Sequence, residues 1–139
     1  MDNLLEIRGL RIEARSDQGW AEIVKGVDVT LERGEILGLI GESGAGKSTI
    51  GLAAMGYVKP GCRISGGSVR FDGLELVGAG RHRLRGLRGR RIAYVAQSSA
   101  AAFNPAWRLI DQHCEGPVRH RVMNRRQAAA KAVQLYRDL

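Results

Sequence analysis

The residues in this chain best equipped for chemistry lie at 41 to 49. Gly41-Glu42-Ser43-Gly44-Ala45-Gly46-Lys47-Ser48-Thr49 fits the spacing G-x-x-x-x-G-K-[ST]. The reason for that spacing is physical. Nucleotide phosphates carry several negative charges and many acceptor oxygens, and holding them takes closely spaced backbone N–H donors that point inward. Glycines at 41, 44 and 46 allow backbone angles that a side chain would block. A helix that starts just after the loop presents its free N–H groups and positive dipole end to the same phosphates. Lys47 adds a full positive charge at the β and γ phosphates, Ser48 is placed to ligate Mg2+, and Thr49 points to the α phosphate side. Gly41, Ser43, Gly44, Ala45, Gly46, Lys47, Ser48 and Thr49 are therefore the expected nucleotide-binding residues. The four fixed positions recur by chance in roughly one chain of this length in two hundred.

Such a loop works only between a strand and a helix. The short apolar run Ile36-Leu37-Gly38-Leu39-Ile40 is expected as a buried strand, central in a parallel sheet. Ile50, Ala53, Ala54 and Tyr57 fall at helical spacing until Lys59-Pro60-Gly61. Upstream, Leu4 to Arg15 and Ala21 to Leu31 alternate as antiparallel strands, joined by Ser16-Asp17-Gln18-Gly19, with a second turn at Glu32-Arg33-Gly34-Glu35. Downstream, Gly66 to Leu76 predicts a hairpin around Asp72-Gly73. Ile64-Ser65-Gly66-Gly67-Ser68 is expected as the turn that leads into it. A Gly- and Arg-rich connection from Gly78 to Arg90, with room for a short helix, leads to a second apolar strand, Ile92-Ala93-Tyr94-Val95-Ala96, which ends at Gln97. A small-residue loop from Ser98 closes at Asn104-Pro105. The last element expected is a helix from Arg125 with Asn124 as N-cap, Gln127 completing a capping box, and Ala128, Ala132, Leu135 and Leu139 as its apolar face. It has no Gly, Asn or Pro stop, which suggests a truncated chain.

The 139 residues comprise 22 Lys plus Arg and 14 Asp plus Glu, a net charge of +8. Hydrophobic residues are 44% and charged residues 26%, near the values for ordinary soluble domains, which excludes disordered and fibrous classes. No run approaches the length of a bilayer span, and the amino terminus has no apolar signal core, so the chain is expected to stay where it is made. Cys62 and Cys114 have no metal-type spacing and are expected as free thiols in a reducing compartment. The charge is lopsided: residues 1 to 60 sum to −2 and residues 61 to 139 to +10. The excess lies in two arginine clusters, Arg81 to Arg91 and Arg119 to Arg137. Such stripes can hold nucleic acid through its phosphates, but aromatics are only 5% of the chain and base stacking has little to work with, so nucleic acid is not an expected partner.

Gly41 to Thr49, the hairpin Gly67 to Gly73, and Arg90-Arg-Ile-Ala-Tyr-Val-Ala-Gln97 with Phe103-Asn-Pro105 together resemble the nucleotide-binding subunit of an ABC transporter. The segment from Gln97 to Pro105 is most similar to the ATPase subunits of dipeptide, oligopeptide and nickel importers. The resemblance covers the whole chain but only the amino-terminal portion of the family's domain. It implies an α/β P-loop NTPase fold, with a mixed sheet and an antiparallel β subdomain. Residues 1–98 would form the ATP-binding core, and 99–139 the Q-loop and the start of an incomplete helical subdomain. It also implies ATP and Mg2+ as cofactors, Lys47 and Gln97 as catalytic residues, and Ser48 and Gln97 at the metal. The implied partners are transmembrane permease subunits, a second ATP-binding subunit and, indirectly, a solute-binding protein, at the cytoplasmic face of the inner membrane. A stand-alone P-loop NTPase or kinase is the alternative. Three family parts have no match after Gln97: the Leu-Ser-Gly-Gly-Gln signature, the Walker B aspartate with its catalytic glutamate, and the switch histidine. Asp111 follows too short an apolar run, and His113 and His120 come too early. Ala14 stands where the family places an adenine-stacking aromatic, with Trp20 the nearby candidate.

Overall fold

A computed structural model describes residues 3–42, 44, 46–98 and 102–138. The chain divides into two compact units, Met1–Arg85 and Gly86–Leu139. Strands β1 (Leu5–Ser16), β2 (Gly19–Leu31), β3 (Cys62–Phe71) and β4 (Leu74–Glu75) form one antiparallel sheet in the order β2-β1-β3-β4. Helices α1 (Lys47–Ala53) and α2 (Arg81–Leu87) follow β2 and β4, and α3 (Leu109–Arg119) and α4 (Arg125–Arg137) belong to the second unit.

The first unit's core follows from alternation along the long strands. Ile7, Leu10 and Ile12 of β1, Val24 of β2, and Val69 and Phe71 of β3 are buried, joined by Ala53, Leu76 and Leu84. Fully burying each large side chain contributes roughly 1.5–3 kcal/mol. The β1–β2 register slips after Ile7, where Gly9 adopts φ 55° and donates its N–H to Asp28 Oδ1 at 2.6 Å. This bulge aims Arg8 and Gly9 carbonyls at β3. A Cβ on Gly67 would sit 2.5 Å from both oxygens, so only glycine fits there. Beside the bulge, Arg8 donates to Glu6 at 2.9 Å, which holds the Glu6 carboxyl below its ordinary range and raises Arg8.

The β3–β4 turn is Asp72-Gly73, with φ 50° and 76°, the paired positive φ of a two-residue I′ hairpin. The hairpin expected at Gly66 to Leu76 is thus present, but its first strand starts earlier. Ile64 to Ser68, expected as a turn, lies inside β3 and pairs with β1. Gly67 allows close approach to the bulge rather than reversal of the chain.

Three other expectations are corrected. Ile36 to Ile40 is in no described strand, and Ile36 and Ile40 are 97% and 99% exposed. Ile92 to Ala96 forms only one isolated parallel bridge, Ile92 to Arg88. A buried parallel strand needs a hydrogen-bonded neighbour on each side and cover on both faces, and the described strands supply neither segment with these. The sheet of the described residues is therefore antiparallel throughout. The helix after the loop ends at Ala53, short of Lys59: Gly56 N–H donates to Ala53 O at 2.8 Å and Tyr57 N–H to Leu52 O at 3.1 Å.

In the second unit, α4 starts as expected. Asn124 Oδ1 accepts from Gln127 N–H at 2.9 Å, and Gln127 Oε1 accepts from Asn124 N–H at 3.0 Å. Ala128 and Ala132 are buried, Leu135 is exposed, and Leu139 lies outside the described residues. Helix α3 is an addition to the expected elements. It carries Pro117 in its last turns and closes with Arg121 N–H on Val118 O and Val122 N–H on Pro117 O. Those two bonds make a Schellman end, whose left-handed position is usually glycine; here it is Arg121, at φ 56°. Asn104 organises the chain before α3, accepting the Ala106 N–H on Oδ1 at 3.0 Å and taking Gln112 Nε2 on its carbonyl at 2.9 Å. Among the described residues no helix is long and apolar enough to cross a membrane.

Candidate functional site

The phosphate-binding spacing falls between the end of β2 and the start of α1, in the first unit. Gly46 is the N-cap of α1, in left-handed conformation at φ 82°. A Cβ there would approach Val24 Cγ2 to 3.1 Å and the Ile23 carbonyl to 3.2 Å. The loop is therefore seated directly on the backbone of β2, and glycine at 46 meets both the angle and the approach. Gly44 also has positive φ, at 86°. Ser43 and Ala45, expected as binding residues, lie outside the described residues.

Lys47 opens α1, and its ammonium turns back onto the loop. Nζ donates to the Gly41 carbonyl at 2.7 Å and to the Glu42 carbonyl at 2.5 Å. An ammonium has three protons, so the charge is pinned at the mouth of the loop with one donor beyond the two carbonyls. The first intrahelical bond of α1 runs from Ile50 N–H to Gly46 O at 2.8 Å, so the N–H groups of Lys47, Ser48 and Thr49 precede the helical ladder. Lys47 and Thr49 are half-buried and Ser48 is exposed. A cation, three leading amides and a hydroxyl within three consecutive residues form a donor set that suits phosphate oxygens, and the Ser48 hydroxyl is an oxygen ligand of the kind Mg2+ takes. The donor set fits the group that the spacing implies.

Register decides between Ala14 and Trp20. Ala14 pairs with Ala21 and Cys62, while the next residue, Arg15, pairs with Trp20. Successive pairs point to opposite faces. Ala14 shares its face with Ile12, whose partner on β2 is Val24, the residue under the loop. Trp20 is thus on the other face, its ring covered by the Arg63 guanidinium at 4.1 Å, which in turn bonds Glu13 at 2.8 Å.

Gln97 is exposed, at a bend in the second unit. Asp111 lies in the first turn of α3 and pairs with Arg125. His113 meets Tyr136 edge-on at 5.7 Å, and His120 Nε2 donates to the Arg88 carbonyl at 2.8 Å. Among the described residues no group of His, Cys, Asp and Glu could hold a metal by itself.

Comparison with known proteins converges on one family. The ABC transporter family pattern matches residues 24–138. A Brucella abortus protein provisionally named a peptide import ATP-binding protein is 38% identical over 132 residues, 95% of this chain and 40% of that protein. The peptide transport system ATP-binding protein SapD of Salmonella typhimurium is 38% identical over 106 residues, 76% of this chain and 32% of its own length. The oligopeptide transport ATP-binding protein OppD of Escherichia coli is 34% identical over 134 residues, 96% of this chain and 40% of its own. The chain spans less than half the length of these relatives.

Proposed function

This chain belongs to the ABC transporter family, and from that membership we propose that it is the amino-terminal part of an ATP-binding subunit that couples ATP binding and hydrolysis to import of peptides or a related small solute. The observation that carries the proposal is Lys47, the first residue of α1, with its ammonium held at the mouth of a glycine loop that is seated on β2. The names of the relatives, all ATP-binding proteins of peptide transport, weigh against a stand-alone kinase or NTPase.

In this reading Gly41 to Thr49 bind the ATP phosphates, Ser48 and Gln97 hold Mg2+, and Gln97 also orients the attacking water. Residues 1–98 are the ATP-binding core, and 99–139 carry the Q-loop and open the helical subdomain. The fold of the whole protein is the mixed-sheet, ABC-type form of the P-loop NTPase. Its partners are permease subunits, a second ATP-binding subunit and, through the permease, a solute-binding protein. Its place is peripheral, on the cytoplasmic face of the inner membrane.

Titration calorimetry with Mg2+ and ATP tests the site. Lys47→Ala removes a charge-assisted contact worth roughly 1.5–3 kcal/mol, so the expected result is weak binding by the wild type and about a tenfold or greater loss in the variant. Equal affinity of the two proteins would sink the assignment.

A further inference from the structure

The end of the first arginine cluster, from Arg88 on, and the start of the second, separate in sequence, meet at one corner of the second unit. His120 Nε2 lies 2.8 Å from the Arg88 carbonyl; a carbonyl only accepts, so this nitrogen carries the proton and donates. A Cβ on Gly89 would sit 3.3 Å from the same nitrogen. The turn that carries Arg90 is therefore held against the carboxyl end of α3, where Arg119 and Arg121 lie, followed by Arg125 and Arg126 at the start of α4. Residues 86 to 139 hold ten basic and three acidic side chains, +7 of the chain's +8. Two of those acids are already committed, Glu115 to Arg119 at 3.0 Å and Asp111 to Arg125. Among the described residues no carboxylate pairs with Arg90, Arg121 or Arg126, and all three are exposed.

Apolar side chains stand among these cations. Val122, next to Arg121, is 67% exposed, and Trp107 is 65% exposed, on a groove of about 320 Å³ that it shares with Val118, Arg119 and Arg125. A phosphate track along nucleic acid uses the cations but gains nothing from an exposed valine. The headgroup layer of a bilayer uses both: anionic lipid attracts Lys and Arg, and Trp and aliphatic side chains settle at the boundary below the phosphates. Arg121 also occupies the left-handed position of a helix end where glycine is easiest, so the chain keeps a cation there against the backbone's preference.

We propose that this corner of the second unit binds the surface of an anionic phospholipid bilayer, with Arg90, Arg121 and Arg126 on the headgroup phosphates and Val122 entering the headgroup layer. The proposal involves no residue of the nucleotide loop and stands apart from the ATP-binding reading. Flotation of the 139-residue protein with vesicles tests it, without nucleotide. The protein is expected to float with phosphatidylglycerol–phosphatidylcholine vesicles and not with phosphatidylcholine alone. Raising salt from about 0.05 to about 0.5 M should release it, as screening shortens. In a Trp20→Phe background, Trp107 emission should shift to the blue on the anionic vesicles only. Removing two cations with Arg90→Gln and Arg121→Gly should weaken binding about 25-fold, at roughly fivefold each. Because glycine suits φ 56° at position 121, Arg121→Gly alone should keep or raise the melting temperature while lowering flotation, which separates lost binding from lost fold. Arg81→Gln with Arg83→Gln, an equal loss of exposed charge in the first unit, should leave flotation within about twofold, and so should Lys47→Ala. Equal flotation on phosphatidylcholine, no effect of the Arg90 and Arg121 changes, an equal effect of the Arg81 and Arg83 changes, or displacement of the vesicles by a DNA duplex at equal phosphate would each overturn the proposal.

Discussion

Gly46 and Lys47 are adjacent and fail differently. Gly46 is left-handed at φ 82° and faces Val24 and the Ile23 carbonyl, so Gly46→Ala meets both a conformational cost of about 1–2 kcal/mol and tight contacts at 3.1 and 3.2 Å to which the loop or Val24 must yield. Lys47→Ala changes no backbone angle; it frees the Gly41 and Glu42 carbonyls and removes the charge. The expected outcome is that Gly46→Ala lowers both thermal stability and ATP affinity, whereas Lys47→Ala lowers affinity with a smaller change in melting. Circular dichroism melts beside calorimetry check this, and a Gly46→Ala protein as stable as wild type would show that the loop does not rest on β2. At this scale the sequence is most legible. The loop spacing, the Asp72-Gly73 turn and the Asn124–Gln127 box each depend on a few residues close in sequence. Misses occur where a residue's role is set by a distant partner: Trp20 is close to Ala14 in the chain but on the opposite face, which only register reveals.

Elements were harder to foresee, and glycines and proline account for much of it. Gly66-Gly67 has the composition of a turn, yet both lie inside β3, and at Gly67 the β1 bulge brings the Arg8 and Gly9 carbonyls to where a Cβ would be. Gly116-Pro117 has the composition of a helix breaker, yet both lie inside α3, near its end; Pro117 forfeits one intrahelical bond there, while its carbonyl accepts the Val122 N–H of the Schellman end. Ile36 to Ile40 and Ile92 to Ala96 have strand composition, but a strand is defined by its neighbours and periodicity alone cannot supply them. The bulge argument is testable. Gly67→Ala would place a methyl 2.5 Å from two backbone oxygens at φ 87°, where no flexible side chain can yield. Strain and overpacking together predict a loss of about 3 kcal/mol or more, read as a fall in melting temperature with loss of amide protection along β1 and β3. Gly73→Ala is the contrast: it has positive φ but no atom within 4 Å, so it should cost only the conformational part.

For the whole molecule, the unpaired apolar segments have a direct consequence. Ile36, Ile40 and Val95 are more than nine-tenths exposed, more apolar surface than a self-sufficient domain usually leaves to water. The isolated 139-residue chain should bind hydrophobic dyes and self-associate; a monodisperse monomer that ignores the dye would contradict this. Turnover follows from a different shortage. In-line attack on a γ phosphate needs a held metal, an oriented water, charge stabilisation and a base. In the proposed reading Lys47 supplies charge, Ser48 a metal ligand, and Gln97 part of the water's orientation. Among the described residues, two carboxylates that could be asked to act as base, Asp72 and Asp111, are held in ion pairs: Asp72 with Arg33 at 2.6 Å and Asp111 with Arg125. Steady-state ATP hydrolysis by this chain should therefore sit at background even where calorimetry shows binding. Phosphate release above background that vanishes in Lys47→Ala would mean that one of these pairs opens to act as base. Asp72→Asn and Asp111→Asn would then identify which, and the stand-alone NTPase reading would replace the transporter one.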